Sequence, residues 1–580
     1  MEYTVIRGEK YIWKVPICNQ EEVASTAAAY TLSFPVAQVL YSRGYRSSDA
    51  IDAFLFTSFE RAVTHASQLT DAQKAVDRIK RAIEKQEKIL VFGDYDVDGI
   101  TSSALMMACL VPLGAQINFF LPHRARDGYG LSTKVVERAA RNGYTLIITV
   151  DNGIAAFEPA SRARELNIDL IITDHHRAHG HLPVAYAIVN PQRADCTYPF
   201  KMLAGVGVIF KVLSLLYEQL GKALPPKAYE LLMLGTIADV VPLQGENRWW
   251  VRQGIAQVHE LESLSFRVLK ENGKIVKPTV TATDIGFSIT PQINALGRLD
   301  DPRDAVQFLI GSDAGVVQSV GRVLHELNER RKEVEQGIIF EIEQVIAQKK
   351  IDLEREYIIM ASSESWPPGV IGLVASRLVG KYGRPVLLFH ITKDGIAKGS
   401  CRSIADFNMF DALSACTSFI SQFGGHSVAA GLSLPAHNLS LLKQTLEDRI
   451  QQTLTRADLQ QKINLDGELA LPDATKKTMH DIACLEPFGH QNDAPLFYVP
   501  SVTIVQKPQL LKGAHVKCMV FSQGVVKPLI FFNRPELYDF FMISHEKQLT
   551  CSLAAKLTEN FWQERVSIEL IGVDVAKSKE

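Results

Sequence analysis

The sequence predicts an α/β protein of several domains: a doubly wound parallel-sheet domain, a long connecting helix, a second smaller α/β domain and a C-terminal all-β, OB-like domain. Three observations predict it. Short runs rich in β-branched and aromatic residues (KILVF, INFFL, TLIITV, DLIIT, YAIV) alternate with amphipathic stretches between about Glu87 and Asn190. A highly charged stretch without Pro, carrying Val, Leu and Ile at helical intervals, runs from about Val316 to Lys350. Beyond about Leu459 the pattern becomes short alternating runs separated by turns.

Each element has its own reason. Continuous apolar runs of this length suit parallel strands buried on both faces. The stretches between them, SSALMMACLVPLG, TKVVERAARNG and AFEPASRARELN, place apolar residues at helical spacing, and two of them close on Gly. Strand, helix and strand in succession make a doubly wound sheet. Two apolar helices are expected around Ala204–Gln219 and Tyr229–Val241. The charged stretch reads as one helix of roughly 50 Å, at about 1.5 Å per residue, separating two lobes. A second α/β unit opens with YIIMAS near Glu356 and closes after FGGHSVAAG. The alternating remainder fits a five-stranded OB-like barrel.

With 580 residues the chain is too long for one hydrophobic core. Its formal net charge of −2 excludes a globally basic nucleic-acid binder, so any nucleic acid must be held in local grooves. The eight Cys residues form no CxxC pair and read as reduced thiols, neither disulfides nor zinc ligands. MEYTVIRGEKYIWKV lacks the apolar core of a signal peptide, and no apolar run approaches the roughly 20 residues that span a bilayer. A cytoplasmic protein with no membrane partner is expected.

The strongest chemical signal is Gly93-Asp94-Tyr95-Asp96-Val97-Asp98-Gly99, directly after the KILVF strand. Ligands bind at the carboxyl ends of strands in open α/β sheets, and three acids crowded there repel one another unless a cation is present. A calcium loop of the EF-hand kind would need a preceding helix and a Glu where this chain has Leu105. Capping the next helix would need only one acid. Two further strands end alike, TLIITV before Asp151-Asn152-Gly153 and DLIIT before Asp174-His175-His176. Oxygen ligands mixed with imidazole suit Mn²⁺ or Mg²⁺ better than structural zinc. Asp239, in the apolar string GTIADVVPL, is costly to bury unpaired and reads as a further ligand or a cap.

GDYDVDG, VDNG, DHH and GTIADVVPL, in this order, resemble the DHH phosphoesterase family. The strings LPHRARDGYGL, LAGVGVIFK, PQINALGRL, GVIGLVASRL, GSCRS, FGGHSVAAG and LEPFG are similar to its RecJ branch. The resemblance spans about residue 60 to the C-terminus. It implies a DHH catalytic domain at 61–312 with an N-terminal segment, 1–60, packed on it, and a connecting helix at 313–352. A DHH-associated substrate-binding domain at 353–457 and an OB-like domain at 458–580 complete the expected plan.

The resemblance also implies a single-stranded-DNA-specific 5′→3′ exonuclease that releases 5′-mononucleotides in recombination and repair. Two divalent cations, Mn²⁺ or Mg²⁺, would be held by Asp94, Asp96, Asp98, Asp151, His175 and Asp239, with Asp151 the bridge and acting in catalysis. Many members carry a His where this chain has Phe92, so Asp94 stands as its replacement. His176 would contact a scissile phosphate oxygen. Such a cation pair activates water and neutralises charge during in-line attack.

Arg124, Arg298, Ser400, Arg402, Gly424, Gly425 and His426 resemble a pocket for the terminal 5′-phosphate, with FGGH opening a helix. Trp366-Pro367-Pro368-Gly369 departs from the usual Trp-His-Pro-Gly. In the β domain, Lys507, Lys512, His515, Lys517, Phe531, Phe532, Arg534 and Trp562 are candidate strand contacts. Expected partners are single-stranded DNA with a 5′ end, a single-strand-binding protein and a helicase, and a monomer is expected. The alternatives are a member acting on small nucleotides, or a scaffold that binds no metal.

Overall fold

The computed structural model describes residues 1–123, 128, 130–178, 180–299, 301–311, 313–562 and 565–577, without the side chains at 298, 299, 561, 562 and 565. In chain order β1 (Tyr3–Arg7) and β2 (Ile12–Pro16) come first, as an antiparallel pair. The five apolar runs then fold as β3 (Lys88–Gly93), β4 (Gln116–Phe120), β5 (Tyr144–Val150), β6 (Asp169–Thr173) and β7 (Ala187–Val189). They make one parallel sheet in the order β4-β3-β5-β6-β7. Nearly every residue of β3, β5 and β6 is buried, as their continuous apolar sequences require.

The connections place the site. After β3 the chain adds β4 on one side, then crosses back to add β5 on the other. The strand order therefore reverses at β3/β5, and at such a switch point the carboxyl ends of the strands open a crevice. The helices Gly205–Gln219 and Pro226–Ala238, both expected, pack with the helix Val97–Leu110 over this sheet in one large apolar core. These elements belong to a unit formed by Phe56–Lys332 with Pro487–Asp493.

The second unit comprises Met1–Leu55, Glu333–Glu486 and Ala494–Glu580. It holds a mixed five-stranded sheet built from β8 (Ile359–Ser363), β9 (Val386–Ile391), β10 (Ile396–Arg402), β11 (Gln422–Gly425) and β12 (Ala429–Pro435), ordered β11-β12-β10-β9-β8. FGGH was expected to open a helix, and the structure corrects this. Gly424 and Gly425 end the edge strand β11, and His426 turns the chain into β12 by donating its backbone N–H to Ala429 O. Gly424 pairs with Gly431 and Gly425 with Ala430; at Gly425, with φ 143°, a Cβ would collide with Ala429 O, so that position requires glycine. The helix Ala314–Ala347 has 34 residues, which at about 1.5 Å each is about 50 Å.

The C-terminal strands follow: β13 (Lys462–Asn464), β14 (Gly467–Glu468), β15 (Phe497–Ile504), β16 (Gln509–Leu511), β17 (His515–Ser522), β18 (Val525–Phe531), β19 (Thr550–Trp562) and β20 (Arg565–Lys577). Strands β15, β19, β20, β18 and β17 pair in succession, and β15 pairs back onto β17, closing the expected five-stranded barrel. Two helices, Lys476–Cys484 and Leu537–Glu546, were not read from the sequence.

The N-terminal segment is a second correction. It was expected on the DHH lobe, but Met1–Leu55 clusters with the barrel's unit. β2 pairs in parallel with β13, and Trp13 is fully buried with Leu465, Ala554 and Ala576. A long-range strand pairing of this kind leaves no local signal in the sequence.

All eight cysteines are free. Among the described residues, no single helix is long and apolar enough to cross a membrane.

Candidate metal centre

Because β3, β5 and β6 are parallel neighbours, the residues that follow them share one rim. Asp94 and Asp96 follow β3, and Asp96 caps the helix Val97–Leu110 by accepting the Gly99 N–H at 3.1 Å. Asp98 lies in that helix's first turn. Asp151 follows β5 with φ 61°, a left-handed conformation unusual for a non-glycine residue and typical of functional sites. Asp174, His175 and His176 follow β6. Asp239 caps the carboxyl end of the helix Pro226–Ala238.

Their polar atoms converge. His175 Nε2 lies 3.2 Å from Asp151 Oδ1, 3.5 Å from Asp239 Oδ2 and 3.9 Å from Asp98 Oδ2. Three overlapping sets could each hold a cation: Asp94, Asp96 and Asp151; Asp98, His175 and Asp239; and Asp151, His175 and His176. Asp151 and His175 each belong to two sets. Every residue named as a metal ligand from the sequence thus lies at this rim.

The buried polar atoms test whether a cation fits. Asp151 Oδ1, Asp239 Oδ2 and His175 Nε2 are all buried, and none has a hydrogen-bond partner. Buried polar atoms are normally satisfied, so three orphans facing one another mark a place made for a ligand. Burial and then the Asp98, Asp96, Asp94 and Asp239 charges push the Asp151 carboxyl well above the usual range. Burial, then Asp98 and Asp96, push Asp239 up to about 9. Burial and the Asp96 charge push Asp98 up to about 7, despite hydrogen bonds that favour its ionised form. Burial and the neighbouring His176 hold His175 down to about 4, leaving its imidazole neutral and able to ligate. Mutually repelling acids beside a neutral imidazole are what a divalent cation relieves.

Supporting contacts hold this rim in place. Asp98 accepts the Gly205 N–H at 2.6 Å and the Val206 N–H at 2.8 Å, at the start of the helix Gly205–Gln219. That helix end, with its partial positive charge, comes so close that a Cβ at Gly205 would lie 2.6 Å from the Asp151 Cβ. Asn152 Nδ2 donates to Val150 O at 2.9 Å and to Phe92 O at 3.4 Å, tying the end of β5 to β3. Phe92 itself is fully buried and stacks on Phe120 at 5.8 Å.

Sequence reasoning quoted Asp174 but gave it no role. Its Oδ1 accepts the backbone N–H groups of His175 at 2.7 Å and His176 at 3.0 Å, and lies 2.7 Å from His176 Nδ1. Its Oδ2 accepts the Ile154 N–H at 2.9 Å. Burial opposes a charge on His176, but the Asp174 hydrogen bond and charge outweigh it and raise the imidazole to about 9. The signal was available: an acid opening the DHH string is well placed to orient the rings after it.

Ser400, Arg402, Gly424, Gly425 and His426 belong to the second unit. Ser400 and Arg402 are two apart on β10, and Arg402 donates to Ser376 Oγ at 3.1 Å and Ser400 Oγ at 3.2 Å. Ser400 is aligned with Gly431, and Gly431 with Gly424, so the row on the β12 side of Ser400 carries no side chains, while Leu388 flanks it on β9. Arg124 lies outside the described residues, as does the Arg298 side chain; the Arg298 backbone belongs to the helix Thr290–Leu299. In the barrel, Phe531 is fully buried and so unavailable to a strand, and Arg534 donates to Val573 O at 2.8 Å. Phe532 is exposed and meets the His515 ring at 5.3 Å.

The comparisons agree with this layout. Residues 88–236 match the DHH family N-terminal domain, 355–452 the DHHA1 domain and 465–574 the RecJ OB domain. The chain is 34% identical to the single-stranded-DNA-specific exonuclease RecJ of Bacillus subtilis (strain 168), over 99% of this chain and 72% of that protein. Against the protein of the same name from Escherichia coli (strain K12), identity is 34% over 87% of this chain and 90% of that one. The RecJ of Thermus thermophilus, solved in complex with Mn²⁺, superposes with a TM-score of 0.81 at 26% identity, covering 98% of this chain and 80% of that one. With the DHH, DHHA1 and RecJ OB domains in order along it, and relatives of this identity matched over most of their length, the chain belongs to the RecJ family.

Proposed function

We propose that this protein is a single-stranded-DNA-specific exonuclease that hydrolyses phosphodiester bonds from the 5′ end and releases 5′-mononucleotides. One observation carries the reading. Two parallel strand ends and a helix end bring the orphaned atoms of Asp151, His175 and Asp239 together, in a family whose named relatives are single-stranded-DNA-specific exonucleases.

Two divalent cations, Mn²⁺ or Mg²⁺, would be held by Asp94, Asp96, Asp98, Asp151, His175 and Asp239, with Asp151 shared. Bound there, they would supply Lewis acidity, activating water and neutralising phosphate charge. The chain's own residues do the rest. His175 stays neutral at its buried position. His176, held protonated by Asp174, presents a cation to a scissile phosphate oxygen. The helix end at Gly205 fixes Asp98 while lending partial positive charge.

Arg124, Arg298, Ser400, Arg402, Gly424, Gly425 and His426 are proposed to hold the terminal 5′-phosphate and adjoining backbone. Gly424 and Gly425 would do so as a side-chain-free strand edge, since they begin no helix. Domain limits at 61–312, 313–352, 353–457 and 458–580 are proposed with this assignment. So are a monomeric state, a cytoplasmic location, recruitment by a single-strand-binding protein and a helicase, and a place in recombination and repair.

The test is digestion of matched DNA and RNA strands, single or duplex, with either end blocked, in Mn²⁺, Mg²⁺ or chelator. Loss of mononucleotides from the 5′ end of single-stranded DNA, only with metal, is expected. Digestion from the 3′ end, or in chelator, overturns the reading.

A further inference from the structure

Among the described residues, β4 is the outermost strand of the parallel sheet, with no strand beyond it. Between its face and the helix Thr133–Arg141 lies a groove of about 810 Å³, within the size range of ligand sites. Its lining carries four cations, Lys88, Lys134, Arg138 and Arg303, and none of the described residues lining it is acidic. In a chain of net charge −2 with 62 basic and 64 acidic residues, that is a strong local bias. Lys134 and Arg138 are both exposed and stand one turn apart on the same helix. Like charges at that spacing destabilise a helix. No carboxylate among the described residues pairs with either of them. By contrast Arg303 is forked onto Asp301 at 2.9 and 3.0 Å, and Lys88 donates to Asn142 O at 3.2 Å. Their charge is in part answered, whereas that of Lys134 and Arg138 is not.

Two rings face the same groove. Phe120 on β4 is half-buried on the side of the helix Thr133–Arg141, whereas Phe119, next to it, faces the other side of the sheet and borders the groove only at the strand edge. Tyr144 opens β5, and its hydroxyl accepts from Asn118 Nδ2 at 3.2 Å. Polar Asn118, Ser132 and Thr133 complete the wall. Cations that lack acids, interleaved with half-exposed rings along an open edge, are the arrangement that tracks a single-stranded polynucleotide: phosphates on the cations, bases on the rings.

We propose that the groove between β4 and the helix Thr133–Arg141 is an additional binding track for single-stranded nucleic acid, gripping a stretch of the strand apart from the cation-binding rim. The proposal rests on the nuclease reading for its biological use but not for its test. A peptide strand adding to the edge of β4 would also fill the space. Its backbone needs no cations, and the five-residue β4 offers it little pairing.

The experiment uses the full chain carrying Lys134→Gln and Arg138→Gln, two exposed changes that spare the core. Binding of a long fluorescent DNA strand is measured in chelator across a salt series. The double variant should bind roughly tenfold more weakly at low salt, with a salt slope shallower by roughly 1.4, since each neutralised phosphate contact on a single strand contributes roughly 0.7. Strands bearing 5-iodouracil should photo-crosslink to Phe120 or Tyr144 in the wild type. Turnover of a dinucleotide, too short to fill both rim and groove, should be unchanged.

An unaltered slope with crosslinks mapping elsewhere overturns the proposal and leaves a protein strand as the occupant. An equal fall in dinucleotide turnover overturns it as well, because the change then acts on the rim. A wild type that binds through the groove yet digests nothing would refute the nuclease reading while upholding this one.

Discussion

Both units bury an aspartate among polar groups, and the two arrangements differ in what they leave undone. In the barrel's unit, Asp574 is fully buried and fully answered. Its carboxylate accepts the backbone N–H groups of Lys10 at 3.1 Å and Tyr11 at 2.9 Å and the Trp13 indole N–H at 3.0 Å, with the Arg534 guanidinium 3.6 Å away. At the rim of the parallel sheet, Asp151 is just as deeply buried, but one carboxylate oxygen finds no donor and meets other acids. A buried charge with all its hydrogen bonds made is an anchor; one left with its neighbours' repulsion is half of a binding site. Burial alone does not separate them. Satisfaction does.

The sharpest way to break this contrast is Asp151→Asn. Metal-dependent digestion should fall by about a thousandfold or more, since metal stabilisation of the transition state is worth several kcal/mol and each decade costs about 1.4. The chelated variant should melt no lower than wild type, because a repelled charge has gone. Full activity, or a large loss of stability, would erase the distinction.

Asp574→Ala should do the reverse. Leaving three donors buried without an acceptor should cost about 3–5 kcal/mol in denaturant unfolding, with turnover per folded molecule kept. A variant as stable as wild type would contradict the anchor role.

Asp174→Asn sharpens the contrast between the two histidines. Losing the carboxylate that orients an adjacent ring should lower activity by about 10- to 100-fold. It should also move the alkaline limb of the pH profile downward, because His176 owes its rise to about 9 to Asp174. An unshifted limb would show that His176 does not act as a cation.

The smallest effect is on metal-free stability. Asp239, raised to about 9, keeps above pH 7 a proton that the unfolded chain has lost, whereas Asp98, raised to about 7, has largely shed its own by then. His176, also raised to about 9, adds in the same direction. In chelator, melting temperature should fall as pH rises from about 7 to about 9, and Mn²⁺ should flatten that slope. A slope unchanged by metal would place the cations elsewhere.

Much of this was legible because the chemistry follows local rules. The five apolar runs became the parallel sheet, and acids placed directly after strands were bound to meet at one edge whatever the connecting helices did. What was not legible depended on partners distant in sequence. Nothing near residue 205 announces that a helix end will seize Asp98, because the two meet only after β4, β5, β6 and β7 intervene. FGGH read as a helix start because Gly-Gly-His leaves local conformation open, and only the pairing with β12 decided it. The N-terminal strands were assigned to the wrong lobe for a like reason: their partners, β13 and Asp574, lie more than 400 residues downstream.

That separation between Trp13 and Asp574 has a consequence for how the molecule is made. The unit holding the metal rim is almost continuous, Phe56–Lys332, and can begin folding as it leaves the ribosome, whereas the first 55 residues must wait for the carboxylate that anchors them. At roughly 5–20 residues per second that interval lasts tens of seconds. During it β2 lacks β13, and the Trp13 indole lacks both Asp574 and its apolar neighbours Leu465, Ala554 and Ala576. Nascent chains arrested near residue 400 should therefore yield a protease-resistant nuclease half and a readily clipped leader.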